Sequence, residues 1–290
     1  MPKNDFANHH LILISFLFTV FSFLSLKAQE TKVDSLSVEN EEQEDFSYFI
    51  VDEGYTNNNL SNSQLKDSAV ATLLTDVSFC HKSGLFVSLM PSYYMNASTR
   101  SYDLDASLGF LKSFGFGLDV SAQYTYHYYN GDTLLRGIQY QHAVGASVSY
   151  SVKGLTVGVD GNALLGISNN YFVTPSLGYY LGFDDLVFED DYFTFFPNMS
   201  ATFSTDYWLY DNLGPWKQRI LERYLTERLG FPTKTMSLQS FDFMVPLSYS
   251  VGNFTISTSY MYSIPSDKYK KLTWDEQSSV LVSLSYMINL

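Results

Sequence analysis

The sequence predicts an all-β fold, a closed antiparallel transmembrane β-barrel of 10–12 strands with one short helix in an external loop. Three observations predict it. Apolar and polar residues alternate with a period of two through most of the chain. The polar face of that alternation carries Gly, Ser, Thr, Asn and Asp, not the Lys, Glu and Arg of a water-facing sheet. Aromatic residues gather at strand ends, as they do at the two bilayer interfaces.

Composition agrees. Of 290 residues, 17% are aromatic and only 16% charged, against roughly 25% charged in ordinary soluble domains. Mean hydropathy is −0.06, and past residue 26 no apolar run approaches the ~18 residues of a membrane helix. A net charge of −13 argues against nucleic acid as a partner, because phosphate backbones are bound by Lys and Arg. Cys80 is the only cysteine, which excludes an intrachain disulfide and a cysteine-based zinc site.

From the N-terminus, residues 1–28 read as a secretory signal. Lys3 lies in a short polar stretch, Leu11–Leu26 (LILISFLFTVFSFLSL) is apolar apart from Ser and Thr, and Lys27-Ala28-Gln29 follows. Cleavage is expected near Ala28, although Leu26 is larger than the residue usual two places earlier. An uncleaved anchor is the alternative, and Leu11–Leu26 falls short of the ~20 residues it needs. No Cys follows the apolar core, so a lipoprotein is not expected. Residues 29–69 crowd Glu39, Glu41, Glu42, Glu44 and Asp45 ahead of Asn57-Asn58-Asn59 and Ser61-Asn62-Ser63. Such a stretch buries too little apolar surface to offset chain entropy, and is read as a flexible acidic segment in the periplasm. Within it, Phe46–Val51 is a short candidate for one more strand.

Residues 70–290 carry the barrel. In Gly115–Tyr129 one face holds Phe116, Leu118, Val120, Ala122, Tyr124, Tyr126 and Tyr128, and the other Gly117, Asp119, Ser121, Gln123, Thr125 and His127. Ile138–Val152 places Ile138, Tyr140, His142, Val144, Ala146, Val148, Tyr150 and Val152 on one face. Leu85–Met95, Tyr102–Phe110, Leu155–Ile167, Tyr171–Phe183, Phe193–Asp206, Phe241–Val251, Phe254–Ile264 and Val280–Leu290 repeat the pattern, and Thr75–His81 does so briefly. The middles of these runs contain no Lys, Arg or Glu. Single-chain barrels normally have even strand numbers. Omitting Thr75–His81 gives ten, and adding Phe46–Val51 gives twelve, which is preferred.

The last strand sets Val280, Val282, Leu284, Tyr286, Ile288 and Leu290 on one face. It resembles the insertion signal of Gram-negative outer-membrane β-barrel proteins, read by the barrel-assembly machinery. That family usually ends in an aromatic residue where this chain has Leu290. The resemblance implies residence in the cell outer membrane, contact with outer-membrane lipid and lipopolysaccharide, and a periplasmic C-terminus, but no substrate. Counting back, the turns at Lys82–Gly84, Ser113–Gly115, Lys153-Gly154 and Gly252-Asn253 become periplasmic. Asn130-Gly131-Asp132 and its neighbours, 207–237 and 265–279 become external loops, which are longer, as barrels have them. Ser168–Asn170 and Asp184–Asp191 fit this division less well.

Loop 207–237 holds a helix expected over 215–229, started by Gly214-Pro215 and ended by Gly230 before Pro232. Trp216, Ile220, Leu221, Tyr224, Leu225 and Leu229 form its apolar stripe, and Lys217, Arg219, Arg223 and Arg228 its basic face. It either packs over the barrel mouth or lies at the interface with its bases on lipopolysaccharide phosphates.

No catalytic, cofactor or metal residues are assigned. Outer-membrane phospholipase A pairs His with a Ser two residues along one strand, and Ala143-Val144 after His142 departs from that. His127 and Asp119 share a face but lie too far apart along an extended chain to bond. Asp103, Asp105, Asp119, Asp160 and Asp242 point inward with His127, either as solvated lumen residues or as an acidic lining that favours cations. Three functions remain open: a narrow pore or small-solute transporter, which leads, a barrel enzyme acting on lipids or surface proteins, and a structural or adhesive surface protein.

Overall fold

The computed structural model describes residues 46–58, 70–95, 102–130, 140–211, 213–272 and 274–290. The expected signal over 1–28, the acidic run at 39–45 and the loop around 131–139 lie outside these residues. Fourteen strand segments form one sheet: β1 (Tyr48–Thr56), β2 (Thr72–Cys80), β3 (Leu85–Tyr94), β4 (Tyr102–Phe114), β5 (Leu118–Asn130), β6 (Tyr140–Val152), β7 (Leu155–Gly166), β8 (Asn170–Tyr179), β9 (Leu181–Asp184), β10 (Asp191–Phe195), β11 (Asn198–Ser204), β12 (Ser237–Val251), β13 (Phe254–Pro265) and β14 (Gln277–Asn289). All pairings are antiparallel, and β1 pairs with β14, which closes the sheet and removes its edges.

β8 and β9 are one spanning strand interrupted at Tyr180, and β10 and β11 are another, so twelve strands cross. The second break falls at Phe196-Pro197, where proline lacks the amide the ladder requires. Twelve is reached because the chain enters the barrel at Tyr48, not near residue 70. The acidic segment read as 29–69 therefore ends early. Asp52 and Glu53 interrupt the apolar alternation of Phe46–Val51 and hid the strand's second half, which pairs through Thr56.

The apolar faces look outward. Val77, Val87, Leu108, Tyr126, Val148, Val157, Tyr179, Phe243, Tyr260 and Val282 are all exposed. The expected aromatic belts are there, at Phe114, Phe116, Tyr150, Tyr179 and Phe183 towards one rim and Tyr93, Tyr102, Tyr126, Tyr128, Tyr171 and Tyr260 towards the other. Tyr140 is the exception. The β6–β7 register shifts between Tyr140 and His142, and a bulge of one residue moves the ring from the lipid face into the lumen, where it is 8% exposed.

Connections at 81–84, 114–117, 152–155 and 251–254 are short and define the turn end of the barrel. Lys153 and Gly154 have φ of 48° and 81°, the pair of positive values that a two-residue hairpin needs to match strand twist. The longer connection between β9 and β10 is held by Asp191, whose carboxylate accepts the amides of Leu186, Val187 and Phe188 at 2.6, 2.8 and 2.9 Å. At the opposite, loop end, helix α1 (Pro215–Arg223) runs on as a π turn over Tyr224–Arg228 and stops at Gly230, with φ 73°. The helix lies where expected, but its apolar stripe is divided. Leu225 is fully buried while Trp216, Ile220 and Tyr224 are exposed, because the row at 216, 220 and 224 stands about 100° or more around the helix from the row at Leu221 and Leu225, and only the second faces the barrel.

Candidate functional site: an acidic lumen closed at one end

Period-two geometry and the strand registers set one residue in two toward the barrel axis. At the loop end these inward side chains are buried on almost every strand: Thr56, Thr72, Tyr94, Asp103, His127, Tyr140, Leu164, Phe172, Ser204, Asp242, Ser263 and Ser279. Toward the turn end the same faces open. Asp52, Asp76, Ser88, Ser107, Asp119, Ser149 and Asp160 are half-exposed and Gln123 is exposed. The lumen is accessible from the turn end and filled at the loop end.

Loop residues do the filling. The 3-10 turn Tyr207–Tyr210 follows β11, and its Trp208 packs against the inward cluster Tyr140, Leu164 and Phe172. The Trp208 amide donates to Asn170 Oδ1 at 3.0 Å. Trp208 also stacks on Trp274 at 5.0 Å, and Trp274 on Tyr269 at 4.9 Å, between ring centroids. These rings join the 205–236 loop to the 266–276 loop. A buried ion pair fastens them: Lys268 Nζ donates to Asp206 Oδ2 at 2.9 Å and to the Pro232 carbonyl at 2.8 Å, with both side chains at most 4% exposed. Asp206 Oδ1 accepts the Lys234 amide at 2.6 Å. Burial, reinforced by the Asp206 carboxylate, pushes the Tyr210 phenol up to about 12. The same two causes raise the Tyr269 phenol. Both remain neutral at physiological pH, and the cap carries Asp206–Lys268 as its buried charge pair.

The aspartates read as inward divide between the two halves. Asp103, Asp105 and Asp242 sit in the sealed end, each with hydrogen-bond donors. The Tyr94 hydroxyl donates to Asp103. Asp242 accepts from Ser263 at 2.5 Å and from Thr202 and Ser240 at 3.1 Å, which ties β11, β12 and β13 together. Asp105 Oδ1 meets His127 Nδ1 at 2.6 Å. The histidine's partner is thus on the neighbouring strand, directly across the β4–β5 register, and not Asp119. A carboxylate on Nδ1 orients the imidazole as in general-base dyads, but His127 is 6% exposed beneath the cap.

Asp119 and Asp160 line the open half, Asp119 accepting from Ser149 at 3.4 Å. Asp52 and Asp76 join them; neither was expected, Asp52 because its strand is only half legible and Asp76 because the Thr75–His81 run alternates too briefly to fix which face looks inward. They are direct cross-strand partners, so two carboxylates face each other inside the lumen. Ser285 donates to Asp52, and Ser88 and Ser78 donate to Asp76 at 2.8 and 3.0 Å. No Lys or Arg faces inward from the described strands. Like charges opposite one another destabilise a sheet unless a counter-ion offsets them. The basic residues Lys217, Arg219, Arg223 and Arg228 are all exposed on the loop helix and its π turn, outside the lumen.

Twelve antiparallel strands closed on themselves, apolar outside and polar within, define a transmembrane β-barrel. No protein-family model and no curated protein sequence matches the chain. Among solved structures it is similar to the KdgM porin, at TM-score 0.49 and 9% identity over 82% of this chain and 98% of that one. It is also similar to LpxR from Salmonella typhimurium (TM-score 0.46, 11% identity, 83% and 99% covered). A third is an outer membrane channel from Pseudomonas putida F1 (TM-score 0.41, 10% identity, 89% and 100% covered). At such identities the likeness is one of fold.

Proposed function

We propose that the chain is an outer-membrane pore of narrow bore that prefers cations and is held shut at its external end. The turn end is then periplasmic and the loop end faces outside, with β14 presenting Val280, Val282, Leu284, Tyr286 and Ile288 to lipid and to the barrel-assembly machinery, and Leu290 just beyond it. One observation carries the reading: Asp52, Asp76, Asp119 and Asp160 line an accessible half-lumen, and no basic residue of the described strands faces them. Fixed negative charge in a confined, low-dielectric channel concentrates cations and repels anions. Twelve strands enclose far less lumen than the 16–18 of general porins, which suits ions and small cations. In planar bilayers under a potassium chloride gradient, brief openings with a reversal potential on the potassium side are expected. Chloride-selective or permanently silent membranes count against the pore.

The external helix supports a lipopolysaccharide contact. Trp216, Ile220 and Tyr224 are exposed, and Lys217, Arg219, Arg223 and Arg228 are exposed with them, the combination of an interfacial helix. Replacing Arg219, Arg223 and Arg228 with Ser is expected to weaken lipopolysaccharide binding at least tenfold while the heat-modifiable gel shift of the folded barrel persists; binding at the wild-type level rejects the contact. The Asp105–His127 bond favours a second reading, a barrel enzyme whose base is exposed when the cap lifts. Lipid or peptide turnover by reconstituted protein, abolished by His127→Asn, is its test, and no turnover disposes of it.

A further inference from the structure

Glu53 lies on β1 with its side chain on the lipid-facing side: its register partners are Leu284 on β14 and Thr75 on β2, and Phe49, Val51 and Tyr55 share its face. It is exposed. Counting from Tyr48, a rise of ~3.3 Å per residue at a tilt of ~40° lifts it roughly 13 Å, about half the ~25 Å apolar band. Among the described residues it is the one charged side chain in the middle of a lipid-facing strand face, since Lys112 and Asp191 stand near strand ends. A carboxyl group at that depth in hydrocarbon is costly unless a partner satisfies it. Thr75 Oγ1 donates to Glu53 Oε1 at 2.9 Å, which occupies one of its two oxygens.

We propose that two copies of this chain pair side by side in the membrane through the outward faces of β14, β1 and β2, with Glu53 and Thr75 at the centre. This pairing does not depend on whether the barrel conducts. Each copy brings a hydroxyl and a carboxyl group as adjacent cross-strand neighbours, so a two-fold axis beside them sets two such pairs against each other. An isologous contact of this kind is self-complementary and needs no third component. A head-to-tail contact would need a base on another outward face, and mid-strand outward faces carry no Lys or Arg among the described residues. Around the polar centre Leu73, Val77 and Val282 are exposed and supply the packing that joins proteins in lipid, where polar groups act as the specific glue.

The test uses the full chain in native outer membranes, in a Cys80→Ser background with one cysteine introduced at Leu73 or at Val77. A short bis-thiol linker is expected to join two copies at either position and to leave Val159→Cys, on β7 across the barrel, unlinked. Glu53→Leu, which removes a carboxyl group from lipid and leaves the barrel able to fold, is expected to cut the linked fraction at least fivefold. Glu53→Gln, which keeps hydrogen-bonding atoms, should largely preserve it. Sedimentation in mild detergent should find the unaltered protein dimeric. Equal linking at Val159→Cys, linking to a different protein, an unchanged linked fraction in Glu53→Leu, or a monomer in sedimentation each overturns the proposal.

Discussion

Replacing Lys268 with Met is expected to raise the open fraction of the barrel about a hundredfold in planar-bilayer recordings. Lys268 and Asp206 are buried together where the 205–236 and 266–276 loops meet, joined by a 2.9 Å bond that, on the proposed reading, latches the loop end. Removing one member of a buried pair strands the other charge, at a cost of about 3–5 kcal/mol. The closed cap bears that cost, because lifting it returns Asp206 to water. At ~1.4 kcal/mol per factor of ten, even the lower figure shifts the closed–open balance by about two orders of magnitude. Methionine keeps most of the volume of the lysine stem, so lost packing contributes little. The double variant Lys268→Met, Asp206→Leu separates charge from shape. With neither charge present no charge is left unpaired, although the Lys234 amide and the Pro232 carbonyl each lose a partner; an apolar pair is often as stable as the ion pair it replaces, so most of the closure should return. A silent Lys268→Met channel, or a double variant as open as the single one, shows that the pair is not the latch.

The second large effect concerns selectivity, measured in that open background. Changing Asp52, Asp76, Asp119 and Asp160 together to Asn is expected to bring the potassium-to-chloride permeability ratio down several-fold, toward one. These carboxylates face a confined aqueous space, and the Debye length is about 10 Å at 0.1 M salt and 3 Å at 1 M. The wild-type preference should therefore be strong in dilute salt and fade in concentrated salt, while the Asn variant shows little of either. Asp242→Asn is the control. Its carboxylate sits in the sealed end among Ser263, Thr202 and Ser240, so the change should lower the temperature of the heat-modifiable gel shift and leave the reversal potential alone. Selectivity that follows Asp242 instead would move the filter to the cap.

Most of the barrel was legible because lipid on one side and a polar lumen on the other impose alternation on every strand. β5, with Val120, Tyr124 and Tyr128 out and Asp119, Gln123 and His127 in, is readable residue by residue. The helix was legible for a different reason: Gly214-Pro215 and Gly230 mark its ends by backbone preference alone. Where local geometry departs from period, legibility failed. The bulge that turns Tyr140 inward leaves no mark on the alternation. Asp52 and Glu53, one facing the lumen and one the lipid, look together like a break in a strand. The candidate site suffered most. The inward aspartates were named from register, but which of them meet water depends on loops that reach the lumen from elsewhere.

Solvent on the two faces of a sheet acts on each residue singly, and so alternation, aromatic belts and the polar lumen are written in the order of amino acids. Sequence alone therefore determined that this chain crosses a membrane as a barrel with acidic side chains inside. Tertiary structure decided what that lumen is. Lys268 reaches Asp206 across 62 residues, Trp208 enters a cluster built from three strands, and His127 bonds to Asp105 rather than Asp119. Such contacts join distant segments through shape and charge, carry no period, and exist only once the sheet has closed.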